Sequence, residues 1–154
     1  QVDEHIAMPV RRPERKLFKL AQFIKKPVSL APELFRTYLA GRYATLAATM
    51  PGLRGMIVNF RTNLDVMSEF FAADAEGFTS EGIARRETFY EGWDVLVEYW
   101  FDEPTQFSSA RLSTDFSPLF EFESAFCSAV FYREVDETVA VLPKRNTPPP
   151  FYHR

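Results

Sequence analysis

Two carboxylates stand inside an otherwise apolar run, GWDVLVEYWFDEP at residues 92–104. Side chains of an extended chain alternate between faces, so Trp93, Val95, Val97, Tyr99 and Phe101 share one face and Asp94, Leu96, Glu98 and Trp100 the other. Four extended residues put Asp94 and Glu98 roughly 13 Å apart, too far for two carboxylates to act on one glycosidic bond. Glu98 poses a sharper question. A mid-strand carboxylate beside Leu96 and Trp100 either pairs with a cation, Arg61 or Lys19, or has its proton affinity raised into the range of a general acid or base. We take the second face to line a pocket, with Asp94 and Trp100 in its walls.

Other side chains extend this chemistry. Tyr43 can exchange hydrogen bonds with a substrate carbonyl, although its helical spacing with Leu39 and Leu46 also suits plain core. Asn59 and Arg61 share one face of a strand and can hold a carboxylate or phenolate, or serve an interface instead. Trp100, Tyr132 and the Phe residues at 116, 120, 122 and 126 can wall an aromatic cavity or simply fill the core. The histidines are His5 and His153, one in each tail, which leaves no histidine inside the domain for a catalytic triad, a zinc cluster or a haem iron. Cys127 is a lone cysteine, and the six glycines form no phosphate loop. The expectation is a protein with no metal and no cofactor.

The elements that must carry these residues follow from periodicity. KLFKLAQFIKK alternates as a strand, and LAPELFRTYLAGRYATLAATMPG reads as a helix with Pro32 at its first position and the MPG stop at 50–52. Phe35, Leu39, Tyr43, Leu46 and Met50 fall on one face of that helix. LRGMIVNFRT reads as a second strand, with Met56, Val58 and Phe60 opposite Ile57, Asn59 and Arg61. Residues 63–91 read as a long loop or lid with a short helix at DVMSEFFAA. After the third strand, Pro104 opens a helix, a second helical piece runs from about Ser117 to Ala125, and AVFYREVDETVAVL is the fourth strand. Residues 1–15 read as an irregular N-terminal extension, 16–142 as the domain, and 143–154 as a Pro-rich tail that packs along a partner subunit.

The resulting order, β-α-β, long loop, β-α-β, is the ferredoxin-like βαββαβ pattern with a four-stranded antiparallel sheet in the α+β class. Helices cover one face of such a sheet. The other face, taken to carry Leu20, Ile57 and Leu96, is too apolar to stay open, which implies a homodimer.

Composition narrows the classes further. The 154 residues suffice for one domain, and 46% hydrophobic and 16% aromatic content with sixteen Phe excludes disorder as the overall state. A net charge of −3, with basic residues scattered apart from Arg11, Arg12, Arg15 and Lys16, excludes a nucleic-acid surface. With neither an apolar run of spanning length nor a secretory signal pattern, a membrane is not an expected partner and a cytoplasmic location is expected.

Three motifs carry a family resemblance. KLFKLAQFIKKPVSLAPELFRTYL, MPGLRGMIVN and WDVLVEYWFDEPTQF resemble the EthD-like family of the dimeric α+β barrel superfamily over residues 16–142. The resemblance implies a dimer whose two sheets close a barrel, with a cleft between sheet and helices in each protomer. It also implies cofactor-independent dehydratase, decarboxylase, isomerase or cyclase chemistry on a small aromatic or polyketide-like compound. Tyr43 stands where the family often has a histidine, so proton handling falls to Tyr43 and Glu98. Asn59, Arg61, Asp94, Trp100 and Tyr132 are then substrate-binding residues. The alternative is a non-catalytic protein that binds or sequesters a hydrophobic small molecule for a degradation or biosynthesis pathway.

Overall fold

A computed structural model describes residues 2–11, 16–62 and 67–137. Five strands, β1 (Val2–Met8), β2 (Phe18–Lys25), β3 (Leu53–Arg61), β4 (Val95–Phe101) and β5 (Ala129–Val135), form one antiparallel sheet in the order β1-β3-β4-β2-β5. The last four of these positions are the ferredoxin-like arrangement expected from the sequence. The fifth strand is a correction: residues 2–8 are not irregular but pair with β3, from Val2 opposite Arg61 to Met8 opposite Met56. A segment such as VDEHIAM has little intrinsic preference for extension, and it becomes a strand because β3 offers an unpaired edge. Arg36 ion-pairs with Asp3 and lies 4.4 Å above the Phe60 ring, tying β1 and β3 to the helical layer.

The helical layer begins at α1 (Pro32–Tyr38), which passes through a π-helical turn (Leu39–Tyr43) into α2 (Ala44–Ala47). Phe35, Leu39, Tyr43 and Ala47 are all buried at steps of four. In an α-helix that step drifts about 40° around the axis each time, and the wider π turn takes up the drift so that the stripe keeps facing the sheet. The sequence expectation differs at one point, since Leu46 is only half-buried and Ala47 takes the inward position. Gly52, at φ +75°, turns the chain into β3, and Gln106 lies directly over it.

The segment between β3 and β4 holds α3 (Met67–Phe70), a 3-10 turn (Glu76–Phe78) and α4 (Ser80–Glu91), while 63–66 lie outside the described residues. Helix α4 is invisible to periodicity because most of it is exposed, but Thr79 caps it by accepting the Gly82 N–H at 3.1 Å. α5 (Pro104–Leu112) and α6 (Ser117–Phe126) complete the layer over the sheet. The fourth expected strand stops at Val135, and the tail 143–154 falls outside the described residues.

The core lies between this layer and the sheet face made of Leu20, Ile24, Met56, Val58, Phe60, Val95, Val97, Tyr99 and Phe101. Leu20 therefore belongs to the covered face, not to the open one on which Ile57 and Leu96 lie. Trp93 also breaks the expected alternation. It precedes the strand and sits edge-on to Phe23 and Phe89.

Candidate functional site

Polar side chains from three strands and two helical segments meet inside the covered layer. Gln22 on β2 is opposite Tyr132 on β5, and Tyr99 comes from β4 on the same face. Tyr43 descends from the π turn and Glu123 from α6. Gln22, Tyr43, Tyr99 and Glu123 are all buried, and Tyr132 is half-buried at the margin.

A hydroxyl has one proton to give, which fixes who donates to whom. Tyr43 Oη lies 2.8 Å from Glu123 Oε1 and is best spent there, because a bond to a charged acceptor is the stronger one. Tyr99 Oη donates to Gln22 Oε1 at 2.7 Å, and Gln22 Nε2 donates to Glu123 Oε1 at 2.7 Å and to Tyr132 Oη at 3.0 Å. Tyr132 Oη lies 2.7 Å from Glu123 Oε1 and 2.8 Å from Oε2. Glu123 Oε1 is thus crowded with inner donors. Oε2 turns instead towards Tyr132 and towards Arg111 Nη1 on α5, 3.7 Å away and on a side chain that is 44% exposed.

Burial, the largest cause in each case, raises the proton affinity of Tyr43, Tyr99 and Tyr132, and the neighbouring Glu123 charge adds to it. All three remain neutral phenols, able to donate to a carboxylate or a developing oxyanion. Cys127 is pushed up to about 12, chiefly by burial and then by Glu123, so it stays a thiol at neutral pH.

The sequence-derived site residues divide between the two faces of the sheet. Tyr43 and Tyr132 join the cluster. Glu98, Asn59, Arg61, Asp94 and Trp100 lie on the opposite face, where Glu98 Oε1 is 2.6 Å from Lys19 Nζ and its Oε2 accepts from Asn59 Nδ2 at 3.0 Å. Asp94 is held by Arg61 at 3.0 Å, by Lys25 at 3.5 Å and by the Lys26 N–H at 2.9 Å. Trp100 Nε1 donates to Glu137 Oε2 at 3.2 Å, with Lys19 Nζ 4.5 Å above its ring. Glu98 has thus taken the ion-pair option, with Lys19 as partner. The expectation that no histidine lies inside the domain is corrected for His5, which stands within the sheet on β1 because its segment pairs with β3; β3 separates its strand from that of Tyr99.

Periodicity held a signal for the residues not singled out beforehand. Phe116, Leu119 and Glu123 recur at helical spacing along one buried stripe, and Gln22 interrupts the inward face of LAQFI between Leu20 and Ile24. Both are polar residues at core positions, which fold that way only with partners supplied.

No family model and no curated protein sequence matches the chain. Solved structures do match in shape. A crystal structure of an Arabidopsis thaliana protein has a TM-score of 0.54 at 10% identity, covering 81% of this chain and 99% of that one. A dimeric ferredoxin-like protein of unknown function from Thermobifida fusca has a TM-score of 0.52 at 11% identity, with coverage of 79% and 91%. An EthD family protein from Bacillus halodurans gives 0.49 at 15% identity, with coverage of 79% and 100%. The likeness is one of fold, and that fold is the ferredoxin-like one that the EthD-like resemblance implies. Among the described residues, no helix is long and apolar enough to cross a membrane.

Proposed function

We propose that the protein is a cofactor-independent proton-transfer enzyme, a lyase or isomerase in kind, acting on a small aromatic or polyketide-like carbonyl compound at the margin of the sheet–helix layer. The observation that carries this reading is the asymmetry of Glu123: one oxygen is fixed by Tyr43, Gln22 and Tyr132, while the other faces Tyr132 and the half-exposed Arg111. Glu123 Oε2 takes the proton from a carbon next to the substrate carbonyl. The neutral Tyr132 phenol turns its one proton from Glu123 to the substrate oxygen on which negative charge develops, and the proton taken by Glu123 returns at a new carbon or to a leaving group. Tyr43 and Gln22 act on the carboxylate rather than on the substrate: they hold it in place from within. The working unit we propose is a homodimer joined through the open sheet face, in keeping with the dimeric ferredoxin-like neighbour.

Deuterium exchange at the acidic carbon of small aryl ketones, followed by NMR, tests the chemistry. Exchange above the buffer rate that disappears in Glu123→Gln and persists in Glu98→Gln is the expected result. Equal exchange in wild type and Glu123→Gln overturns it. A second reading, a non-catalytic carrier of hydrophobic small molecules, is favoured by one feature: Gln22, Tyr43, Tyr99 and Glu123 all find partners within the cluster itself. It predicts saturable ligand binding with no exchange.

A further inference from the structure

Arg111, on a side chain that is 44% exposed, lies 3.7 Å from the buried Glu123 carboxylate, and its setting is unusual for a surface arginine. The guanidinium lies 4.4 Å from the centroid of Phe120 and 5.5 Å from that of Tyr132. Phe107 completes the surround, 5.2 Å from Tyr132 and 6.5 Å, edge-on, from Phe120. The rings come from α5, α6 and β5, so the three elements converge on one aromatic enclosure with a carboxylate on its inner side. Arg111 occupies it without a close bond to that carboxylate, since 3.7 Å exceeds hydrogen-bond length. Moving Arg111 aside leaves Glu123 with its bonds to Tyr43, Gln22 and Tyr132.

We propose that Arg111 is the anion handle and gate of the site, so that the substrate class is a planar aromatic compound bearing a carboxylate or phenolate close to its acidic carbon. This rests on the proton-transfer reading above. The guanidinium swings from its loose pairing with Glu123 to the ligand's anionic group, which it grips through two N–H donors. The ligand ring takes the place of the guanidinium among Phe107, Phe120 and Tyr132, stacking where the cation had lain. The acidic carbon then faces Oε2, the oxygen with fewer bonds. A neutral ligand of the same shape gains the stacking but leaves Arg111 to be displaced without a new partner, and binds more weakly. Arg111 is in this sense a specificity-determining residue, and Glu123 is unscreened only when an anion has drawn Arg111 away.

The test uses a matched pair of probes on the full chain, 2-acetylbenzoate and its methyl ester, with NMR titration for binding and deuterium exchange at the acetyl methyl for turnover. Wild type binds the acid at least about tenfold tighter than the ester, and Arg111→Gln removes that preference while Arg111→Lys keeps part of it. In Arg111→Gln the KM for the acid rises, whereas the ester, no longer obliged to displace the guanidinium, binds no more weakly and exchanges faster than in wild type. Equal affinity of wild type for acid and ester overturns the proposal, as does an unchanged preference in Arg111→Gln. Glu123→Gln separates this failure from that of the base: exchange lost with the acid preference intact supports both readings. Exchange persisting in Glu123→Gln, with the preference lost in Arg111→Gln, removes the base but keeps the anion handle.

Discussion

Glu123 and Glu98 show how environment assigns different work to one side-chain type. Each is surrounded by donors, but Glu98 faces a lysine at 2.6 Å and an asparagine, whereas Glu123 faces phenols and an amide. Glu98→Gln should therefore cost about 1–2 kcal/mol, less than for a fully buried pair, because the site is partly solvated and Lys19 retains Glu137 at 3.3 Å. Thermal melting checks this, and exchange activity per folded molecule should stay unchanged. Tyr43→Phe should cost about 1–3 kcal/mol, since Glu123 Oε1 loses an inner donor in a dry setting, and chemical denaturation measures it. The phenols also set an alkaline limit. Unfolded tyrosines ionise at about pH 10, whereas burial makes Tyr43, Tyr99 and Tyr132 hold their protons to higher pH in the native state. Above about pH 10 the unfolded chain has therefore released protons that the native chain keeps. Their stabilising contribution is complete below that pH and falls as pH rises beyond it. Phenolate absorbance should accordingly show a fraction of the tyrosines titrating late and together with loss of near-UV circular dichroism. A smooth titration of all tyrosines near pH 10 in folded protein would refute this.

Among the elements, the α1–π–α2 segment and the turn that follows it explain how Tyr43 reaches the sheet. A continuous α-helix would rotate residue 43 away from the stripe begun by Phe35 and Leu39; the π turn brings it back. Gly41 lies in that turn with open space where a Cβ would be, and its φ is not positive. Gly41→Ala should stabilise the protein by about 0.5–1 kcal/mol, through a less flexible unfolded chain. Gly52 behaves in the opposite way. Its φ of +75° and the Gln106 side chain, 2.0 Å from where a Cβ would sit, make Gly52→Ala destabilising by about 1–3 kcal/mol. Melting temperatures of the two variants should move in opposite directions, and a fall for Gly41→Ala would show that the π turn needs glycine for itself.

At the scale of the whole molecule, the open face of the sheet joins charge and aromatic surface. Phe131 stacks on Phe23 at 4.8 Å and is 39% exposed, and Ile6 on the added strand is 53% exposed. Flanking them are the Lys19–Glu98 and Arg61–Asp94 pairs, already neutralised within one chain. Such a face can meet a second copy without stranding a charge. Sedimentation at micromolar concentration should give about twice the chain mass of 17.8 kDa, and Phe131→Asp should shift it to the monomer while leaving the helix-covered core intact. A wild-type monomer under these conditions would remove the dimer from the proposed function.

Alternation in LRGMIVNFRT and WDVLVEYWF, the Pro32 and Pro104 helix starts and the order of elements already specified the ferredoxin-like layers, because periods of two and of three to four residues are local properties of the chain. Strand β1 was not legible in this way, since its pairing depends on the free edge of β3, nor was α4, whose mostly exposed surface has no apolar stripe to read. The same division holds for the site. The polar character of Tyr43, Glu98 and Tyr132 was plain from residue type, but which of them share a space depends on which sheet face the helices cover. Tertiary packing decided that Tyr43, Tyr132, Gln22, Tyr99 and Glu123 meet, and that Glu98 meets Lys19 instead. Gln22 and Glu123, 101 positions apart, become neighbours only when both layers close over a dry interior, where each polar group must find a partner.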